Sequence, residues 1–126
     1  MHLPAGSTAK PRILVVEDEV MIALLIADTL ESNGFEVVGP CQTVSQALAK
    51  LGIQGCCDAV VLDANLRNES SVPVAQELVK LAIPFVVATG YNLSQLPAEL
   101  AAAPVLAKPM KSEDLILHLH RVLSIG

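Results

Sequence analysis

Five side chains of this 126-residue chain could do chemistry together: Glu17, Asp18, Asp63, Thr89 and Lys108, with Asn65 close behind Asp63. Each group follows an apolar run: "RILVV" before Glu17 and Asp18, "AVVL" before Asp63, "FVVA" before Thr89, "PVLA" before Lys108. Short apolar runs bounded by polar residues read as strands buried on both faces. In a parallel sheet, ligands gather outside the carboxyl ends of the strands. An acid at that end is therefore a site candidate. Three carboxylates at close range repel, by about 4 kcal/mol per pair at 4 Å and an effective dielectric of 20. Such a cluster must gain protons or a cation. An all-oxygen donor set with few carboxylates favours a hard ion that keeps several waters, Mg²⁺ above others. Lys108 adds a positive charge and Thr89 a hydroxyl donor. With one carboxylate as nucleophile, this set is suited to receiving a phosphoryl group.

The elements that must bring these residues together are readable along the chain. Residues 1–11 carry Pro4, Gly6, Ser7, Thr8 and Pro11 and read as a loose tail, with the domain over 12–126. Strands are expected at 12–16, 36–39, 59–63, 84–89 and 104–107. Helices are expected over 19–32 with Gly34 past its end, through Leu51 from a cap at Thr43 or Ser45, over 72–81, and from a Ser112 cap to about Leu123. "NLRNESS" (65–71) reads as a polar loop. Pro97 and Pro104 confine a fourth helix to about 97–103, short or irregular, since interior proline costs roughly 3 kcal/mol. Strands alternating with helices predict an α/β fold with a doubly wound, five-stranded parallel sheet. The usual order, 2-1-3-4-5, makes strands one and three neighbours. All three acids then share one crevice, with Thr89 and Lys108 across it.

Composition narrows the function further. The longest unbroken apolar run, Val20–Ala27, has eight residues, whereas a membrane span needs about 18–20. The start has no apolar core of a signal peptide. A cytoplasmic protein without membrane contact is expected. A net charge of −5 and 2% aromatic residues argue against nucleic acid, which asks for basic patches or stacking rings. The three cysteines lack ligand spacing and read as small core residues. His118 and His120, two apart on a helix, point to different faces and are not expected as ligands. On the first helix, an inward stripe of Ile22, Leu25, Ile26 and Thr29 would leave Ala23, Leu24, Ala27 and Asp28 outward. That face is unusually apolar and, with Met21, suggests a docking patch.

The stretches "VVEDE" (15–19), "VVLDANL" (60–66), "VATG" (87–90) and "AKP" (107–109) resemble the receiver domains of bacterial two-component response regulators, over about residues 12–123. The resemblance implies a flavodoxin-like fold and a phosphoacceptor rather than an enzyme. It implies that Asp63 takes a phosphoryl group from a histidine kinase or phosphotransfer protein. Asp18, Asp63 and the backbone carbonyl of Asn65 would bind Mg²⁺, Glu17 would act through a metal-bound water, and Thr89 and Lys108 would hold the phosphoryl oxygens. Receivers commonly carry an aromatic switch residue three positions before the lysine; here that place is Val105, and the aromatic is Tyr91. "PFVVATGY" (84–91) is similar to the Phe-Ala-Thr-Gly-Tyr stretch of a subgroup of mostly single-domain receivers, with Val87 in place of phenylalanine. That subgroup implies stress signalling, kinases of the HWE type and a regulatory part for Tyr91. No effector domain is expected after the last helix, so output would come from docking to a downstream protein, as a monomer or weak homodimer. The competing reading is a Mg²⁺-dependent phosphatase of the haloacid dehalogenase type. That family carries an acid two after its nucleophile, where this chain has Asn65, and places the nucleophile on the first strand. A nucleotide-binding fold would need a glycine-rich loop after the first strand, which is missing.

Overall fold

A computed structural model of the chain describes residues 9–90 and 93–124. The strands β1 (Arg12–Val16), β2 (Glu36–Cys41), β3 (Ala59–Asp63), β6 (Phe85–Thr89) and β7 (Val105–Ala107) form one parallel sheet in the order β2-β1-β3-β6-β7. This is the predicted doubly wound arrangement. Successive strand residues face opposite sides, so the sheet feeds two cores. Ile13, Val15, Val61 and Val86 pack under α1 (Val20–Ser32) and α5 (Ser112–Leu123) through Ala23, Ile26, Leu30, Leu115 and Leu119. Leu14, Val16, Val60, Leu62 and Val87 pack under α2 (Val44–Leu51), α3 (Val72–Lys80) and α4 (Ala98–Ala101). Every residue of β3 is buried, as its unbroken apolar run requires.

Thr43 caps α2, its hydroxyl accepting from the Gln46 amide at 3.1 Å. The fourth helix is a single turn, α4, preceded by a 3₁₀ turn at Leu93–Gln95 and anchored by the fully buried Leu100. Tyr91 lies outside the described residues.

Four local expectations are corrected. β2 runs on through Pro40 to Cys41, because a register shift between Leu14 and Val16 absorbs the proline at the sheet edge. Gly39 makes the shift feasible: its φ is +91°, and a Cβ there would stand 2.9 Å from the Cys41 nitrogen. The residue before α5 is Lys111, not Ser112, whose hydroxyl instead lies 3.4 Å from that of Thr29. On α1 the buried stripe is Ala23, Ile26 and Leu30, so Ala23 points inward and Leu25 is 66% exposed. Val20–Ala27 is apolar at every position and carries no phase of its own, so packing sets it. Finally, 65–70 is no loose loop. β4 (Asn65–Leu66) and β5 (Glu69–Ser70) form an antiparallel hairpin whose corner, Arg67 and Asn68, has φ of +50° and +65°. Two left-handed central residues are what a type I′ turn needs.

Candidate functional site

The register of β1, β3, β6 and β7 decides where the polar residues emerge. Val16 pairs with Leu62, Asp63 with Ala88, and Thr89 with Ala107. Glu17, Asp63, Thr89 and Lys108 therefore leave the sheet at one level, at its carboxyl end. Glu17 and Thr89 are almost wholly buried, and Asp63 is 6% exposed. The carboxylates of Glu17, Asp18 and Asp63 each offer an oxygen, all within 4.8 Å of one another.

The ammonium of Lys108 spans two of the acids, donating to Glu17 Oε1 at 2.8 Å and to Asp63 Oδ2 at 2.9 Å. Backbone amides fix the other oxygens. The Glu19 N–H donates to Glu17 Oε2 at 3.1 Å, and the Asn65 N–H to Asp63 Oδ1 at 3.2 Å. The Lys108 amide, in turn, donates to the Thr89 carbonyl at 2.9 Å, tying the lysine's backbone to the hydroxyl-bearing strand end.

The electrostatics follow from burial and proximity. Burial pushes the Glu17 carboxyl up to about 7, against the lowering effect of Lys108 and the Glu19 amide and with further help from Asp63. Burial also raises Asp18, but the Arg67 amide and the neighbouring side chains outweigh it and hold this carboxyl below its usual range. Lys108 loses some basicity to burial and regains more from Glu17 and Asp63, so its pKa is raised and it stays charged. One lysine against three acids leaves the pocket short of positive charge. A hard divalent cation fits this all-oxygen set, supplying charge where Lys108 does not reach.

All five predicted side chains are thus brought together, and Asn65 contributes its amide. Sequence reasoning missed Arg67, whose amide donates to Asp18 Oδ2 at 3.1 Å and whose guanidinium donates to Gln42 Oε1 at 3.2 Å. Asn68 beside it tolerates left-handed backbone, but the flanking Asn65–Leu66 and Glu69–Ser70 carry no strand pattern that would have marked a hairpin. Cys41, Cys56 and Cys57 are free and buried; Cys41 meets the site only through its carbonyl, which accepts from the Glu17 amide at 2.9 Å, and burial pushes the Cys57 thiol up to about 12. His118 donates from Nδ1 to the Asp114 carbonyl at 2.7 Å, and His120 meets the Phe35 ring, so neither joins the site.

Comparison with known proteins gives a consistent picture. The family described as response regulator receiver domain matches residues 13–120. The transcriptional regulatory protein PdtaR of Mycobacterium tuberculosis is 28% identical over 116 residues, covering 89% of this chain and 56% of that protein. The chain thus spans about half the length of that relative. The chemotaxis protein CheY of Bacillus subtilis is 25% identical over 118 residues, 90% of this chain and 98% of that one. The solution structure of SdrG from Sphingomonas melonis Fr1 superposes with a TM-score of 0.80 at 39% identity, covering 94% of this chain and 99% of that one.

Proposed function

This chain belongs to the response regulator receiver domain family of two-component signalling, and from that premise we propose that Asp63 is its phosphoacceptor, loaded by a histidine kinase or a phosphotransfer protein. The observation that carries the reading is the salt-bridged carboxylate at the end of β3: Asp63 is held by Lys108 and the Asn65 amide beside two further acids. In the reaction an Asp63 oxygen attacks phosphorus. The new P–O bond forms as the bond to the donor's histidine nitrogen, or to acetate in acetyl phosphate, breaks. Mg²⁺ supplies the positive charge that the donor's phosphoryl oxygens need on entering an acidic pocket. In this reading Asp18, Asp63 and the Asn65 carbonyl would hold the ion, and Glu17 would act through a water. Lys108 exchanges its bond to Asp63 for one to a phosphoryl oxygen, and the Thr89 hydroxyl meets another.

We propose a domain over 12–126 that acts in the cytoplasm; residues 1–8 of the expected tail lie outside the described residues, and among the described residues no helix is long and apolar enough to cross a membrane. "PFVVATGY" supports placement in the Phe-Ala-Thr-Gly-Tyr subgroup, with an HWE-type kinase, stress signalling and a regulatory Tyr91 as its consequences. The likeness to SdrG at 39% identity supports the receiver reading, and output by contact with a downstream protein is proposed with it. The exposed apolar residues Val20, Met21, Leu24 and Leu25 on α1 offer the kinase a docking face next to the site. A haloacid dehalogenase-type phosphatase is not favoured, since the acid stands on β3 and Asn65 occupies the place of the general acid. Incubation with acetyl phosphate and Mg²⁺ separates the two: a receiver gains one phosphoryl group per chain and EDTA prevents it. Continuous phosphate release from generic phosphoesters would support the phosphatase instead.

A further inference from the structure

We propose that Arg67 is a positioning residue for Asp18: the hairpin corner clamps this carboxylate and the Arg67 guanidinium locks the corner to Gln42. The inference rests on the receiver reading of the site. Arg67 joins three loops at once. Its amide donates to Asp18 Oδ2 at 3.1 Å, after β1; its guanidinium donates to Gln42 Oε1 at 3.2 Å, after β2; its backbone turns the hairpin after β3. Gln42 is itself fixed, because its amide donates to Gln46 Oε1 at 2.8 Å on α2. At the other end the hairpin is rooted by fully buried Leu66 and by Ser71, whose hydroxyl donates to the Ala64 carbonyl at 3.0 Å.

The conformation itself calls for a reason. Arg67 sits at φ +50°, a region that costs a side-chain-bearing residue roughly 1–2 kcal/mol and that glycine or asparagine adopts more easily. Strain of this kind persists where surrounding contacts over-determine it, and it clusters at functional sites. Here the over-determining contacts are the two ends of Arg67. The Arg67 amide on Oδ2 fixes the Asp18 carboxylate beside Glu17 and Asp63, each of the three acids offering an oxygen within 4.8 Å of the others'. Preorganising a ligand in this way raises ion affinity without adding a contact to the ion.

The sign of one substitution separates clamp from charge. Removing a positive side chain beside an acidic pocket tightens cation binding if charge alone acts. Loss of a clamp loosens it. Mn²⁺ affinity is measured by the electron paramagnetic resonance signal of the free ion for the wild type, Arg67→Ala, Gln42→Ala and the double variant, with metal-free melting temperatures recorded alongside. The clamp predicts that each single variant binds about threefold more weakly, the size expected of an exposed polar pair. The double variant is expected to bind no more weakly than either, because both break the same bond. Metal-free melting should stay within a degree or so, since surface changes of this kind cost little. Unchanged or tighter binding by Arg67→Ala, additive losses in the double variant, or losses that track metal-free melting would overturn the clamp while leaving the receiver reading standing. Wild-type protein that binds no Mn²⁺ would overturn the receiver reading, and the clamp with it.

Discussion

At the residue scale, Glu17 shows how burial turns an ordinary acid into a group that titrates near neutrality. Its carboxyl is raised to about 7 from an ordinary 4.5, so the folded chain binds this proton more tightly than the unfolded one. The contribution to stability is then fully present below pH 4.5 and is lost as pH rises through about 7. Glu17→Gln keeps the hydrogen-bonding shape without the charge. Thermal melts in metal-free buffer should show the variant gaining on the wild type as pH climbs from 5 to 8; a constant difference across that range contradicts the assignment. The same residues show what a reader of the sequence alone obtains. Glu17, Asp18, Asp63, Thr89 and Lys108 were legible because each closes an apolar run, and a parallel sheet gathers run ends on one side. Arg67 was not, because its part depends on a positive φ that nothing in its own chemistry announces.

At the element scale, α1 and the α4 region carry the dynamic expectations. The outer face of α1 exposes Leu24 at 55% and Met21 at 71%, and apolar surface beside a reactive site invites a partner. Leu24→Glu should slow phosphotransfer from the cognate kinase and leave labelling by acetyl phosphate intact; equal loss of both would show a folding defect instead. The phase of α1 was not legible, since Val20–Ala27 is apolar at every position and only contact with the sheet selects Ala23 over Leu25. The shortness of α4, by contrast, followed directly from Pro97 and Pro104. A helix of four residues, held by Leu100, is weakly specified and suits an order–disorder switch. Val105, half-buried against the core, has no ring to rotate. Beryllofluoride with Mg²⁺ is therefore expected to raise hydrogen-exchange protection across 93–103; unchanged protection would move the output surface elsewhere.

At the scale of the whole molecule, the fold is a device for placing strand ends. Five apolar runs of strand length led to the sheet, and the usual order of this fold then brought the acids into one crevice. The hairpin and the register shift at Gly39 were hidden because both depend on backbone conformations set by neighbours rather than by local pattern. What the assembled molecule does stands or falls on one bond, the acyl phosphate at Asp63. Acetyl phosphate and Mg²⁺ followed by borohydride reduction and peptide mass mapping tests it directly. The account predicts one modified site, Asp63, lost in Asp63→Asn and suppressed when EDTA removes the ion. Stoichiometric labelling of Asp63→Asn, or modification mapped to Asp18 or Glu17 in the wild type, would contradict it.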